Sequence, residues 1–529
     1  MVTVSGGMRS LRLSLTLSGG AALGAYQAGA TAALLTAARH LSREDDERCV
    51  VDAMGGASAG ALVAALGAHS LLNGIDPVWL LHNAWVDRVN LQLLRSRDAR
   101  APLGFEKLKE RIDQVLDPRD DDGSPAHRVD QRQERNIGVH VALTGLQGLQ
   151  YRVSGLRSSE QVTATTYVDW AEFQLEPGGG KEQLLQPEGR APFDFVLASA
   201  ANAGAFGPRL LDRRHEEEEY RERGVTNFPS SGRFWYTDGS TVQANPLGRV
   251  MGAADSLDAS EGADVRRLNL LIDPRSSDPS SGQAWVDPDY RPAWTAALAR
   301  TLSIIPNQIL YDDLRRVEKA NSRLHWAKQA AEELAPHLHQ DAREALAGFL
   351  RQAEADRAVL RPGSDEQKSE EHDAPAQGAD DGRSIEELLR SAFEEVAGLQ
   401  NKRWVDVDVI SPLLLAEGEE SVPNLLAGEI LGDFGGFASR RLRESDFVLG
   451  FDSVSAWMPE GLDHAGLDTD EIESTIEAVE QARLAGWPDE LIGETQVSDL
   501  PLSDRLQLAV LAGQLIRVIA RDAWKALRG

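Results

Sequence analysis

The most informative stretch of this sequence is VVDAMGGASAGALVAAL, residues 50–66. A short apolar run predicts a strand, small residues predict a sharp turn, and the Ala/Leu/Val run that follows predicts a helix. Residues 56–60 (GASAG) fit G-x-S-x-G, a strand–turn–helix elbow that exposes Ser58 between the elbow glycines Gly56 and Gly60. The pattern alone leaves two interpretations about equal: a nucleophilic serine at a helix N-terminus, or a small-residue turn where strand and helix pack closely.

A glycine-rich segment lies one strand and one helix before the elbow. Alternating leucines over residues 11–17 predict a strand, residues 18–24 (SGGAALG) a loop, and the following residues a helix to about residue 40. With the strand of the elbow they form a βαβ unit, for which parallel strands are expected. Both loops then open at the carboxyl ends of neighbouring strands, where open α/β sheets bind ligands.

Two chemical interpretations of this loop differ in what its backbone N–H groups bind. A nucleotide phosphate site is disfavoured, because residues 19–24 do not fit G-x-G-x-x-G and no Walker lysine follows. An oxyanion hole is favoured by the serine elbow on the adjacent strand. A tight helix start explains the glycines but not their pairing with the elbow.

An aspartate follows a later strand. Residues 234–237 (FWYT) predict a strand that ends at Asp238-Gly239, so Asp238 is a candidate for the catalytic face, with an Asx-turn or helix cap as the alternative. Other strands are expected at 137–143, 149–153, 162–173 and 268–272, a buried helix at 193–206 and a solvated loop or helix face at 212–224.

Composition excludes several classes of protein. The chain has 529 residues, with 55 Lys and Arg against 83 Asp and Glu, a net charge of −28. This charge disfavours nucleic acid as a partner and loose adsorption to anionic lipid, although a local basic or apolar docking face remains compatible with it. The single Cys49 and the lack of a transmembrane run or signal peptide favour the cytoplasm. No zinc-spaced Cys/His cluster occurs, so neither a metal nor a cofactor is expected.

Segment composition predicts the organisation of the chain. We expect a catalytic α/β core over 8–275, a helical segment over 276–361, a disordered acidic linker over 362–383, and a mainly helical region over 384–529. Within the last region, a strand near 404–410 is expected to join the core sheet.

The glycine-rich loop, the serine elbow and Asp238-Gly239, in this order, together resemble the patatin-like phospholipase family. Residues 198–208 (ASAANAGAFGP) resemble a further segment of that family, and the resemblance covers about residues 10 to 275. It implies a three-layer α/β/α fold with a mainly parallel central sheet, followed here by a helical C-terminal extension. It also implies a lipid substrate, met at a membrane surface by a cytoplasmic or peripheral protein.

The resemblance also implies roles for individual residues. Ser58 and Asp238 would form a catalytic dyad without histidine, and Gly19, Gly20 and Ala21 the oxyanion hole. The implied activity is a serine lipid acyl hydrolase that cleaves carboxylic esters of phospholipids or related glycerolipids through an acyl-enzyme.

This chain departs from the usual family pattern at three positions. It has Ala21 where the family usually has glycine, Leu23 where it usually has Arg or Lys, and Ser240 where it usually has Gly or Ala. A backbone donor at position 21 tolerates alanine if φ is negative. Residues 434–450 resemble the end region of a bacterial patatin-related subgroup, and packing is the role expected for them.

Two other functions stay open at the level of sequence. One is a patatin-fold protein with a silent dyad that binds or regulates. The other is an α/β-hydrolase esterase with a Ser-Asp-His triad, for which too few strands precede the elbow. The histidines that follow Asp238 and would have to serve it are His325, His337, His339, His372 and His464.

Overall fold

The structure is a computed structural model that describes most of the chain. The residues described are 10–42, 48–96, 101–154, 161–185, 191–261, 265–274, 289, 294–339, 341–342, 344–350, 384–397, 407–416, 425–428, 433–483, 487–488, 491–493 and 497–526. The linker predicted at 362–383 and His372 lie outside them.

Eight strands of the described residues form one mainly parallel sheet in the order β5-β6-β3-β2-β1-β7-β8, with β4 paired to β3. The strands are β1 (Ser10–Leu17), β2 (Cys49–Gly56), β3 (Ile137–Ser154), β4 (Gln161–Leu175), β5 (Arg209–Asp212), β6 (Arg233–Thr237), β7 (Val265–Ile272) and β8 (Val407–Ile410). Strand β1 pairs in parallel with β2 and β7, as do β2 with β3 and β7 with β8. Strands β4, β5 and β6 form the antiparallel part.

Helices of the first part of the chain lie on both faces of this sheet. The helices of the described residues are α1 (Gly24–Leu41), α2 (Ala59–Asn73), α3 (Pro77–His82), α4 (Leu91–Leu94), α5 (Glu106–Arg111), α6 (Asp113–Leu116), α7 (Glu182–Leu185), α8 (Pro192–Ser199), α9 (Glu217–Glu222), α10 (Leu247–Glu261), α11 (Trp294–Leu334), α12 (Ile385–Val396), α13 (Arg440–His464), α14 (Thr469–Gln481) and α15 (Leu502–Ala526). A π-helix, Asn83–Arg88, continues α3.

The alternation of side chains along β2 divides the core into two layers. Met54 joins the large apolar cluster that includes α1, α2 and α13, whereas its neighbour Ala53 packs with Val250 and Ala254 of α10. Successive residues of a strand point to opposite faces, so a strand with both faces buried is apolar throughout. The predicted three-layer α/β/α fold with a mainly parallel sheet and a helical C-terminal region is confirmed.

Two glycines let α1 and α13 approach closely. A Cβ atom at Gly29 would lie 1.8 Å from the Phe447 carbonyl oxygen, and one at Gly450 would lie 2.0 Å from the Tyr26 carbonyl oxygen. Since only glycine avoids these clashes, α13 packs directly on α1, the helix that follows the glycine-rich loop.

The chain divides into two compact units, Met1–Leu310 with Val407–Gly529, and Tyr311–Asp406. In the second unit, Leu350, Leu388 and Ala392 form a small apolar cluster, and the rings of Trp326 and Phe393 lie 5.4 Å apart.

Two local predictions were wrong, and a third, the solvated segment 212–224, holds only for part of its side chains. Residues 137–154 form a single irregular strand rather than two, with Gly148 at a φ of +74°. Helix α8 ends at Ser199 instead of continuing to residue 206, and the Asn202 side chain accepts the Gly204 N–H in the turn that replaces it. Within the charged segment 212–224, Arg213 and Tyr220 are buried.

Candidate active site

The serine elbow holds Ser58 in a strained backbone conformation. Ser58 lies between β2 and α2 with φ +53° and ψ −122°, a region that non-glycine residues rarely adopt. A Cβ atom at Gly56 would lie 2.3 Å from the Gly60 carbonyl carbon, and one at Gly60 would lie 2.5 Å from the Leu17 carbonyl oxygen. Both elbow glycines therefore permit a backbone approach that any larger residue would block.

The structure brings Ser58 and Asp238 into direct contact. Ser58 Oγ donates a hydrogen bond of 2.9 Å to Asp238 Oδ2, and both residues are buried. The other carboxylate oxygen, Asp238 Oδ1, accepts from the Ser240 N–H at 2.8 Å and from Ser240 Oγ at 2.7 Å. On the opposite side, the Ser58 N–H donates to Ser199 Oγ at 2.9 Å.

Three elements hold Asp238 at the end of β6. Its N–H donates to the Ala201 carbonyl at 3.0 Å, in the turn after α8. Its carbonyl accepts from Thr144 Oγ1 of β3 at 2.7 Å. Because the backbone is bound on both sides, the carboxylate is positioned by the sheet rather than by a free loop.

Burial raises the pKa of Asp238 above its ordinary value. Hydrogen bonds from Ser240, Ser58 and Asn202 to the carboxylate oppose this shift but do not cancel it. A carboxylate with a raised pKa is a stronger proton acceptor than an exposed aspartate, as a general base for a serine hydroxyl requires.

The glycine-rich loop lies beside Ser58. A Cβ atom at Gly19 would lie 3.4 Å from Ser58 Cβ. The Gly19 N–H donates to the Ala244 carbonyl at 2.9 Å, whereas the N–H groups of Gly20 and Ala21 have no acceptor among the described residues. Of the three predicted oxyanion donors, Gly20 and Ala21 are thus the two that can still donate.

Ala21 does not meet the condition of a negative φ. Its φ is +43°, so this alanine adopts the left-handed conformation for which glycine is suited. The strain lies in the loop next to Ser58, where rare backbone conformations tend to cluster.

An apolar pocket opens beside Ser58 and Ala21. Helix α2 and the π-helix supply Leu62 and Trp85, and the turn after α8 supplies Phe206. The pocket is further lined by Ala59, Val89, Leu94, Phe105, Leu108, Ala200, Asn202, Phe434 and Phe437. Such a wall suits the hydrocarbon chain of a substrate whose ester lies at the serine.

The C-terminal region contributes to this pocket, which sequence reasoning missed. Phe434 and Phe437 come from the FGGF segment, to which only packing was assigned. A Cβ atom at Gly436 would lie 2.9 Å from Ala22 Cβ, and the Arg443 guanidinium donates to the Gly436 and Val86 carbonyls. The signal that could have indicated it is the pair of aromatic residues on either side of a Gly-Gly turn.

The same region explains Leu23. Its side chain is fully buried, and the Cβ position of Gly428 lies 3.5 Å from it. The Ala427 and Gly428 N–H groups donate to the Asp446 carboxylate of α13, which fixes this segment over the loop. A leucine therefore fits position 23, because a lysine or arginine there would have its charge buried away from solvent.

No imidazole of the described residues bonds to Ser58. Nor do the described residues contain three His, Cys, Asp or Glu side chains grouped so that they could hold a metal ion. Among the described residues, Ser58, Asp238, Asn202 and the loop N–H groups are thus polar groups that the structure gathers at the pocket.

Comparisons with known proteins give one family match. No curated protein matches the sequence. Among solved structures, a crystal structure of VipD from Legionella pneumophila aligns over 97% of this chain and 92% of that chain at 11% identity, with a TM-score of 0.20. The family model described as patatin-like phospholipase matches residues 15–251, from β1 into α10 and across both Ser58 and Asp238. The chain thus contains a patatin-like phospholipase domain over residues 15–251.

Proposed function

We propose that the protein is a serine lipid acyl hydrolase that cleaves carboxylic esters of phospholipids or related glycerolipids. The observation that carries the proposal is the 2.9 Å hydrogen bond from Ser58 Oγ to Asp238 Oδ2, beside an apolar pocket and beside two loop N–H groups that have no acceptor among the described residues. A nucleophile, a base, oxyanion donors and an apolar wall for the acyl chain are the parts that hydrolysis of a lipid ester requires.

The reaction proceeds through two balanced steps. Asp238 accepts the Ser58 proton as Oγ attacks the ester carbonyl, and the oxyanion lies against the Gly20 and Ala21 N–H groups. The carbonyl re-forms, the alcohol leaves with the proton from Asp238, and the acyl group stays on Ser58. Asp238 then deprotonates a water molecule, which attacks the acyl carbonyl. The bond between the acyl carbon and Ser58 Oγ breaks, Oγ takes the proton back from Asp238, and the fatty acid leaves. One oxyanion donor contributes roughly 3 to 4 kcal/mol to such a step.

We also place this reaction at a lipid surface. Among the described residues, no helix is both long and apolar enough to span a bilayer. Helix α15, however, exposes Leu502, Leu506, Val510 and Ile516 by 68%, 59%, 51% and 66% while Leu508 packs into the core. Residues four apart share a helix face, so Leu502, Leu506 and Val510 form one stripe.

The position and the charge of this stripe favour lipid as its occupant. Helix α15 contacts the turn Gly435–Ala438, which carries Phe437 of the catalytic pocket. Arg505 and Arg517 are exposed near the stripe, and Asp504 is the one acidic residue between 502 and 517. An apolar stripe beside basic residues suits insertion at the headgroup boundary.

The dyad is tested by hydrolysis of the soluble ester p-nitrophenyl butyrate. We expect Ser58→Ala and Asp238→Asn to lose about a thousandfold or more in kcat/KM, as removal of a nucleophile or its base does elsewhere. Ser256→Ala, an exposed serine of α10, is the matched control and keeps full activity. A fluorophosphonate probe should label the wild type and not Ser58→Ala.

Two outcomes would contradict the proposal. A folded wild type that neither turns over the ester nor reacts with the probe is a silent scaffold. If His325→Gln, His337→Gln, His339→Gln, His372→Gln or His464→Gln abolishes activity as fully as Ser58→Ala, a triad replaces the dyad.

A further inference from the structure

A second cavity adjoins the catalytic pocket. It encloses about 360 Å³, within the size range of ligand sites, and shares Leu62, Val89 and Leu108 with the pocket at Ser58. Its inner wall is apolar, with Leu66 and Val115 beside the shared residues. Its remaining wall is polar. Only the shared side chains of Leu62, Val89 and Leu108 lie between the two cavities, so an amphiphile that displaced them slightly could occupy both.

The π-helix Asn83–Arg88 forms a wall of both cavities. Trp85 lines the catalytic pocket, while Ala84, Asp87 and Arg88 line the second cavity. The Val89 N–H reaches back five residues to the Ala84 carbonyl at 3.0 Å. Such π-helical turns are uncommon and are frequently found at functional sites, so the position of this one between two cavities supports a ligand role.

Three basic side chains give the polar wall an excess of positive charge. They are Arg88, Lys107 and Arg111, none of which pairs with a carboxylate in the described part of the chain. The partners that they do have are neutral: Arg88 Nε donates to Asn83 Oδ1 at 2.7 Å, and Lys107 Nζ donates to the Gln92 carbonyl at 2.8 Å.

The acidic side chains of this wall compensate only part of that charge. They are Asp87 and Glu110, and Asp87 Oδ1 already accepts from Arg440 Nε at 2.9 Å. The wall therefore carries a local positive charge in a chain whose net charge is −28.

We propose that this second cavity binds the anionic headgroup of a glycerophospholipid whose ester lies at Ser58. The phosphate would interact with Lys107 and Arg111, which lie four apart on one face of α5, and the glycerol portion would cross Leu62 and Val89. The inference rests on the proposed hydrolase function and adds a substrate class, since a net-negative headgroup fits this wall better than a zwitterionic one.

The test compares phosphatidylglycerol with phosphatidylcholine of the same acyl chains in identical detergent micelles. For Lys107→Gln/Arg111→Gln we expect kcat/KM on phosphatidylglycerol to fall about tenfold, mainly through KM, because the lost contacts are charge-assisted. Hydrolysis of phosphatidylcholine should fall by a smaller factor, because the basic wall repels its ammonium group and this repulsion offsets part of the attraction to its phosphate. Hydrolysis of p-nitrophenyl butyrate, which has no phosphate, should stay within about twofold. The matched control is Lys109→Gln on the same helix, since Lys109 Nζ pairs with Asp194 Oδ1 at 2.6 Å outside the cavity.

A binding measurement separates failure of this inference from failure of the hydrolase function. Binding of dihexanoyl phosphatidylglycerol to Ser58→Ala, measured by calorimetry, should weaken about tenfold when Lys107→Gln/Arg111→Gln is added. Equal losses on both lipids, or an unchanged preference for phosphatidylglycerol, would overturn the headgroup site. An enzyme inactive on every ester that still binds this lipid through Lys107 and Arg111 would refute hydrolysis and keep the site.

Discussion

Ser240 is the contact by which this chain adjusts its proposed catalytic base. Its hydroxyl donates to Asp238 Oδ1 at 2.7 Å, and this hydrogen bond lowers a pKa that burial raises. We predict that Ser240→Ala raises the pKa of Asp238 further. Asp238 acts as a base only when ionised, so activity appears as pH rises through this pKa. The acidic limb of the kcat/KM profile should therefore move to higher pH, while the plateau at alkaline pH changes little.

The pH profile on p-nitrophenyl butyrate measures this shift. Ser256→Ala on α10 serves as the control, because its hydroxyl bonds to the Gly252 carbonyl away from the dyad. A limb that stays in place, or that moves to lower pH, would show that Asp238 does not limit the reaction.

Ala21 allows a test of strain in the oxyanion loop. Its φ of +43° costs an L-residue about 1–2 kcal/mol, whereas glycine adopts this φ without strain. Glycine also makes the unfolded chain more flexible, which stabilises the unfolded state by about 0.4–1 kcal/mol and offsets part of this gain. We predict that Ala21→Gly raises the free energy of unfolding by up to about 1 kcal/mol and retains or increases kcat.

Denaturant unfolding and ester hydrolysis measure the two effects. The control is Ala28→Gly in the middle of α1, which should lower stability by about 1 kcal/mol. If Ala21→Gly destabilises the protein as much as this control does, the loop is not strained.

Sequence motifs located the residues of the site better than they described its shape. G-x-S-x-G and Asp-Gly pointed to Ser58 and Asp238 because both depend on local turn chemistry. The positive φ of Ala21 has no signal in the residue itself, because an alanine ordinarily has a negative φ. The bond from the Ser58 N–H to Ser199 Oγ joins residues 141 apart and carries no local signal.

At the scale of elements, the prediction was most accurate where a segment has one strong period. The alternation over residues 11–17 corresponds to β1, and the apolar run after the elbow to α2. Helix α8 was predicted too long because residues 200–206 are mostly small and apolar, as residues of a buried helix often are. The helix nevertheless ends at Ser199, and in the turn that follows the Asn202 side chain accepts a hydrogen bond from the Gly204 N–H. Arg213 was expected in solvent because its buried partners, Tyr236 and the Trp170 carbonyl, lie on distant strands.

The contact between α1 and α13 should be necessary for the geometry of the loop. A methyl group at Gly450 would meet the Tyr26 carbonyl oxygen at 2.0 Å, so the two helices must separate. We predict that Gly450→Ala lowers the free energy of unfolding by about 1–3 kcal/mol, the usual cost of overpacking. Because α1 begins at the loop, the activity of the folded fraction should fall as well.

Urea unfolding and initial rates at matched folded concentration test this prediction. Gly252→Ala is the matched control, because its added methyl group meets nothing within 4 Å in helix α10. That control should gain up to about 1 kcal/mol from helix propensity. Equal behaviour of the two variants would contradict the tight contact.

At the scale of the whole molecule, the matched domain and the C-terminal region belong to one compact unit and line one pocket. The family match ends at residue 251, yet β8 extends the sheet and Phe434 and Phe437 complete the pocket. Packing was the role expected from the sequence for residues 434–450, because the charged residues of this segment match no catalytic motif. The wall of a pocket is formed by contacts between residues more than 200 positions apart, such as that of Gly436 with Ala22. Such contacts leave no local motif in the sequence.

The net charge of −28 makes the proposed lipid surface a sharp test at this scale, because the molecule as a whole is repelled by anionic membranes. We predict that Leu506→Asp/Val510→Asp lowers kcat/KM on phosphatidylcholine vesicles by about tenfold or more. In the wild type, insertion removes the apolar surface of each of these two side chains from water, which contributes about 1–2 kcal/mol per residue to the free energy of binding. Hydrolysis of soluble p-nitrophenyl butyrate should stay within about twofold, since neither residue lines the pocket.

Vesicle sedimentation and sedimentation velocity identify what covers the stripe of α15. The control is Leu210→Asp on β5, where another exposed leucine, 42% accessible, receives the same charge. Binding lost in the α15 variant and kept in the control supports insertion of α15, the helix that contacts the turn that carries Phe437. If the α15 variant instead converts a dimer to a monomer and binds vesicles as the wild type does, the stripe belongs to a second copy of the chain. Equal loss in both variants would mean that the bilayer responds to added negative charge rather than to α15.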